Sequence, residues 1–165
     1  MDTPFDADSF MTTTFDDAMA TTMTAIPDGE YTAIIGDFTS EALKTVTTGK
    51  GERKVLEVPF VLRDEDGNLA AKLGTREQYV HRESYWLDFN ANGGLDTGPD
   101  KNVRLGQLRA ALGQNEKGVP WAPAMLRNAG PVKIAIKSTP AKPKPGEPQD
   151  PDKKYTNITK YARIS

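Results

Sequence analysis

Hydrophobic residues alternate with polar ones in several short segments, and this pattern predicts a chain built mainly of β-strands. The clearest alternation runs from Leu56 to Leu62, where every second side chain is apolar and would face a core. Val132, Ile134 and Ile136 repeat the pattern and direct two lysines the other way. We predict five strands, which lie within residues 31–38, 54–63, 74–89, 132–136 and 155–164.

Helical periodicity replaces the alternation between the third and fourth strands. Leu105, Leu108 and Leu112 would form the buried stripe of a helix over 102–112, and a shorter helix is predicted over 122–129. The Asp-Gly-Asn sequence at 66–68 predicts the tip of a hairpin between the second and third strands. The resulting order, β-β-β-α-β-β, is that of an OB-fold, a five-stranded Greek-key barrel.

Residues 1–26 have a different composition, rich in Thr, Asp, Ala and Met, and predict a flexible arm before a domain at 27–165. The spacing of Phe15, Met19 and Met23 is compatible with a short amphipathic helix. Aromatic side chains with acidic neighbours are candidates for binding a partner, and they are Phe5, Phe10, Phe15, Asp16 and Asp17.

Charge separates the arm from the domain. Residues 1–30 hold seven acidic side chains and no Lys or Arg, so the remaining chain holds all 21 basic side chains against 16 acidic ones. A basic surface attracts polyanions through Coulomb forces and counterion release. The acidic arm is expected either to compete for that surface or to bind a different partner.

Several function classes are disfavoured by what the sequence lacks. It contains no Cys, and His81 is its only histidine, so a thiolate or histidine metal site is not expected. Its apolar runs are too short to cross a membrane. We find no catalytic motif and expect neither enzymatic activity nor a cofactor. The loop from Asp88 begins like a calcium loop, but Pro99 stands where the bidentate Glu would be needed, so no metal is expected.

An OB-fold binds oligonucleotides on the face of its second and third strands, between the 1–2 and 4–5 loops. Both loops are predicted to be flexible and basic, and the third strand interleaves Arg with aromatic residues that could stack on bases. Successive side chains of a strand point to opposite faces, so Tyr85 and Trp86 cannot share a face. One of them is therefore expected to have a structural role in the core. The candidate nucleic-acid-binding residues are Lys50, Arg53, Lys54, Arg76, Tyr79, Arg82, Tyr85, Trp86, Lys142, Lys144, Lys153 and Lys154.

Three segments carry a resemblance to a known group of proteins. They are Pro27-Asp28-Gly29-Glu30-Tyr31-Thr32-Ala33, Leu56-Glu57-Val58-Pro59-Phe60, and the stretch from Gly94 to Gly113 that includes Leu105-Gly106-Gln107-Leu108. In these segments the chain resembles bacteriophage single-stranded DNA-binding proteins with OB-type folds. The resemblance implies a protein that coats single strands during phage DNA replication or recombination, in the cytoplasm of the infected host. Members of this functional class often carry an acidic tail at the C-terminus, whereas here the acidic segment comes first.

Two functions therefore stand as expectations. The first is sequence-tolerant binding of single-stranded DNA by a homo-oligomer, with replication or recombination proteins as further partners of the arm. The alternative is a virion structural protein, such as a head decoration or cement protein, whose N-terminal arm binds a neighbouring subunit.

Overall fold

A computed structural model describes residues 4–19, 25–140, 145–146 and 154–164. The fold is mainly β, with one open antiparallel sheet and few helices. Its strands are β1 (Gly29–Ile35), β2 (Leu43–Thr48), β3 (Gly51–Leu62), β4 (Tyr79–Trp86), β5 (Val132–Pro140) and β6 (Lys154–Arg163). Its α-helices are α1 (Ala7–Thr12), α2 (Asn68–Leu73) and α3 (Val103–Ala111), and single turns of 3-10 helix occupy Ser40–Ala42 and Pro123–Leu126. None of the helices in these ranges is long and apolar enough to cross a membrane.

The long strand β3 organises the sheet, whose order is β2-β3-β1-β5-β6 with β4 on the other edge of β3. The first half of β3 pairs with β2, and its last residues pair with β1, as in Ala33↔Leu62. The opposite edge of β3 pairs with all of β4, from Val55↔Trp86 to Leu62↔Tyr79. As in any β-strand, successive side chains of β3 point to opposite faces, here a covered inner face and an outer face.

The alternation predicted from the sequence is confirmed in β3 and β5. Leu56, Val58, Phe60 and Leu62 are buried, as are the three apolar residues of β5, while Lys133 and Lys137 on the other side of β5 are exposed. Leu105 and Leu108 of α3 are buried beneath the sheet as expected, whereas Leu112 is only partly buried.

Four local predictions were wrong. The segment 43–48 is a strand rather than part of a flexible loop, because its β-branched Thr and Val residues favour an extended backbone. Helix α2 follows the turn at 66–68, because the Asp64 carboxylate accepts the N–H groups of Leu69 and Ala70. The predicted helix over 122–129 is a single turn that ends at Leu126. In the arm the helix is α1, and residues 13–19 are not helical; Met23 lies outside the described residues.

A buried carboxylate connects the two ends of the sheet. Glu83 of β4, with 1% of its surface exposed, accepts the backbone N–H of Ile158 in β6. The guanidinium of Arg104, in α3, lies 3.1 Å from Glu83 and also donates to the backbone carbonyls of Ser84 and Ile158. Within the described ranges no backbone ladder joins β4 to β6. Side chains therefore make the connection, which we call the Glu83 seam.

Candidate nucleic-acid interface

The outer face of β2, β3 and β4 carries two of the five candidate residues that the sequence placed in the third strand. Trp86 stands opposite Val55 and Arg82 opposite Pro59, on the side of the sheet away from the core. Their neighbours Tyr85 and Glu83 point inward and are buried. The third predicted strand, which is β4, therefore has one side that faces the core and one side that is exposed.

Trp86 is the exposed aromatic centre of this face. It is 43% exposed, and the guanidinium carbon of Arg53 lies 5.1 Å from its ring centroid. Arg53 also lies 3.5 Å from a carboxylate oxygen of Asp88, which holds the guanidinium beside the ring. A ring with a cation beside it and an exposed remainder is suited to stacking against a base.

Two further cations share a carboxylate on the same face. Glu57 lies 3.0 Å from the ammonium of Lys44 and 3.6 Å from the guanidinium of Arg82. Both cationic side chains are more than half exposed, so these pairs contribute little to stability. The face therefore has one more positive than negative charge, from Lys44, Arg53 and Arg82 against Glu57 and Asp88. A phosphate could replace either carboxylate as the partner of these cations.

A groove of about 410 Å³ runs between this face and the beginning of β6. Tyr155, which is 62% exposed, lies on its far side from Trp86. Sequence reasoning assigned Tyr155 only to a strand and placed Lys44 in a loop. The signal for Tyr155 was weak, namely an aromatic residue directly after a basic, Pro-rich segment.

Several predicted residues are not on this face. Tyr85 is 2% exposed in the core, which corrects its assignment as a candidate nucleic-acid-binding residue, because no base could reach its ring. Tyr79 and Arg76 line a separate cavity beside Ile26, where the Tyr79 hydroxyl donates to the Gly74 carbonyl.

The basic residues of the two predicted loops named as candidates also include several that are not placed on this face. Lys50 is exposed at the turn between β2 and β3, beyond the groove. Lys54 points to the opposite side of the β2–β3 hairpin, where its ammonium donates to the Thr45 hydroxyl. Lys142, Lys144 and Lys153 lie outside the described residues, and Lys154 begins β6 without a described side chain.

The arm carries exposed side chains along its described part. Phe5, Phe10, Phe15, Asp16 and Asp17 are all exposed. The rings of Phe5 and Phe10 contact each other, with centroids 5.5 Å apart, and the Asp6 carboxylate caps α1 by accepting the N–H groups of Asp8 and Ser9. The partner-binding role of these residues stays a prediction.

The loop after β4 uses its polar oxygens internally. Asn90 accepts the N–H groups of Asn92 and Gly94, and Asp96 accepts the N–H of Gly98. Asp88 accepts the N–H of Asn102, whose side chain returns bonds to the loop. Within the described ranges no three His, Asp or Glu side chains converge as a metal site would require.

The chain was compared with protein-family models, with curated proteins and with solved structures. No match was found in any of the three. The DNA-binding activity proposed below therefore rests on the residues and geometry of this chain.

The Glu83 seam also perturbs ionisable groups. Burial alone would lower the pKa of Arg104, but its hydrogen bond and charge interaction with Glu83 outweigh that effect and raise the pKa. The hydroxyls of Tyr85 and Tyr161 are hydrogen-bonded to each other. Burial, followed by the interaction with Tyr161, raises the pKa of Tyr85, and burial raises the pKa of Tyr161 to about 12.

These two phenols predict a loss of stability at alkaline pH. A raised folded-state pKa gives stability that is complete below about pH 10, the ordinary tyrosine pKa. That stability is lost as the pH rises through about 12, the folded-state pKa of Tyr161. Urea unfolding from neutral to alkaline pH should show a steeper decline for the wild-type chain than for Y85F/Y161F. Equal declines would contradict the assignment.

Proposed function

We propose that this protein binds single-stranded DNA, with little sequence preference, on the outer face of β3 and β4. The observation that carries the proposal is the grouping of Trp86, with Arg53 beside its ring, next to Arg82 and Lys44 and across a groove from Tyr155. Aromatic faces stack on any base, and the cations neutralise phosphates along the backbone. In a duplex the base faces are already stacked, so this arrangement favours single strands.

The strand order supports an OB-like fold with one addition. Apart from β2, the order β5-β1-β3-β4 is the 4-1-2-3 arrangement of a Greek key, and β6 pairs beside β5. Helix α3 comes between the third and fourth of these strands. In an OB-fold the second and third strands form the binding face, and these correspond to β3 and β4. Strand β2 would then widen that face.

The proposed biological setting follows from the resemblance to phage proteins. We propose that the protein coats single strands during DNA replication or recombination in the infected cell. Replication or recombination proteins are the proposed partners beyond DNA.

A salt titration tests the electrostatic part of the proposal. Labelled oligo-dT should bind with micromolar or tighter affinity at low salt. If Lys44, Arg53 and Arg82 each neutralise one phosphate, the logarithm of affinity should fall with the logarithm of salt with a slope of about −2. Arg82→Ala should make that slope shallower by about 0.7, the contribution of one phosphate contact to a single strand.

Lys133 provides the matched control for this titration. It is exposed on the outer side of β5, away from the proposed face, and lies 3.7 Å from Glu30. Lys133→Ala should leave the slope unchanged. The proposal fails if oligo-dT does not bind at low salt, or if Lys133→Ala changes the slope as much as Arg82→Ala.

A virion structural role is the second candidate, and the exposed phenylalanines of the arm favour it. In that role the arm would bind a neighbouring subunit of the particle. Mass spectrometry of purified virions separates the two candidates, because a strand-coating protein would be found in infected-cell extracts and not in the particle.

A further inference from the structure

We propose that the arm of one chain binds in an apolar groove of a second copy, by inserting the aromatic residues of α1. This inference deepens the second candidate function, in which the arm binds a neighbouring subunit, by identifying the surface that the arm would contact. The groove, called here the Phe89 groove, has a volume of about 340 Å³. Its apolar walls are Phe38, Leu43, Leu56, Leu87, Phe89 and Leu95.

The Phe89 groove leaves apolar surface open at one end of the sheet. Phe89 is 45% exposed, and Leu43 is exposed beside it on β2. The floor is formed by Leu56 and Leu87, which belong to the core. The volume falls within the range of about 300–1,000 Å³ typical of binding pockets. Contiguous exposed apolar surface of this kind commonly marks an interaction site.

The arm presents side chains of the matching kind. Phe10 is 63% exposed, and Phe5 and Met11 are exposed on either side of it. The Asp6 cap and the contact between the Phe5 and Phe10 rings are local interactions that favour the helical form of this segment. A preformed element loses less conformational entropy when it binds. Short helices with apolar anchors commonly bind in grooves in this way.

Charge favours the same pairing. The described arm, residues 4–19, contains four Asp and no Lys or Arg. Arg127 lines the groove, and Lys54 points to the same side of the β2–β3 hairpin as Leu56. Arg127 is paired at 2.7 Å with the exposed Asp37, so an arm carboxylate would compete with that pair at the surface. Complementary charges at a rim steer the approach and set the orientation.

The described part of the arm is available to a second copy. All of residues 4–19 are exposed, so this part of the chain's own arm does not cover the groove. The arm joins the domain at Ile26, which lines a cavity with Tyr79 at the beginning of β4. Leu87 and Phe89 follow the end of β4, which at about 3.3 Å per residue is roughly 25 Å away. The 16 residues from Phe10 to Ile26 could span that distance within one chain, so the experiment below separates the two arrangements.

A contact between opposite ends of two copies is a head-to-tail contact. Such contacts are heterologous and can continue from one subunit to the next. A row of subunits formed in this way would suit cooperative coating of a strand. The arm contact itself requires no DNA, so its test and the test of DNA binding can fail independently.

Photo-crosslinking in the full chain tests this inference. A benzophenone amino acid replaces Phe10, and protein grown on light nitrogen is mixed with protein grown on heavy nitrogen before irradiation. We expect crosslinked peptides that join a light arm to a heavy segment containing Leu43 or Phe89. Finding only pairs of the same isotope would place the arm on its own chain and overturn the inference. Crosslinks confined to other surfaces, or none, would also overturn it.

Self-association provides a second measurement. Phe10→Ser and Phe89→Ser should each weaken association about tenfold in sedimentation experiments, the effect expected for removing one buried aromatic anchor. Val119→Ser is the matched control, because Val119 is also an exposed apolar residue but does not line the groove. Equal association of all four proteins would contradict the proposal.

Discussion

Glu83→Ala is expected to lower the free energy of unfolding by about 3 kcal/mol, as for breaking a buried ion pair. The change removes the acceptor of the Ile158 N–H and the partner of Arg104 and His81 together. We expect the lower end of the usual range because the side chain of Arg104 is 42% exposed and can be hydrated after the loss. Urea unfolding followed by circular dichroism measures the change.

Glu57→Ala is the matched control for that variant. Glu57 also carries two ionic contacts, with Lys44 and Arg82, but lies on the outer face of the sheet. Exposed pairs of this kind contribute about 1 kcal/mol at most. If Glu83→Ala costs no more than Glu57→Ala, the Glu83 seam does not stabilise the fold.

Trp86→Ala should weaken binding to oligo-dT by about 5- to 150-fold, which corresponds to losing about 1–3 kcal/mol of stacking on one base. The indole is 43% exposed on the outer face, so its removal leaves the main core cluster intact. Arg53 would also lose the ring beside which it lies. Fluorescence anisotropy of labelled oligo-dT at fixed low salt measures the affinity.

Two control variants test whether the loss of affinity is specific to the aromatic ring of Trp86. Trp86→Phe retains an aromatic face and should keep most of the affinity. Trp121→Ala removes the other tryptophan, which lies under Arg109 and donates to Gln114, away from the proposed face. It should leave the affinity unchanged. If Trp86→Ala binds as well as the wild-type chain, Trp86 is not a stacking residue.

The strands whose inward face could be predicted are those whose buried positions are all apolar. Val58 and Phe60 lie on the inner face of β3, and Ile134 and Ile136 on that of β5, as the alternation required. In β4 the inner positions include Glu83, which breaks the rule that charges face outward. Period two separated Tyr85 from Trp86, but only the packing of β4 against its neighbours could decide which of them faced the core.

Other features depend on contacts distant in sequence. Tyr155 lines the same groove as Trp86 only because β6 returns past β4, and no local pattern in the chain encodes that return. The strand β2 was missed because its Lys and Thr residues, beside Gly49, were interpreted as a loop, although Thr and Val favour strands. The direction of a basic side chain depends on the same pairing, and Lys54 therefore lies on the opposite side of the β2–β3 hairpin from Arg53.

The Glu83 seam has a consequence for how this protein behaves among other chains. In the described sheet β2, β4 and β6 each have one strand neighbour, and unpaired strand edges are templates for edge-to-edge aggregation. Along the facing edges of β4 and β6, the backbone groups of Ser84 and Ile158 are already bonded to side chains. An incoming strand would have to displace Glu83 and Arg104 to pair there. A chain that lost Glu83 would expose the facing edges of β4 and β6 at the same time. Aggregation through these edges could then be more damaging than the loss of folding stability.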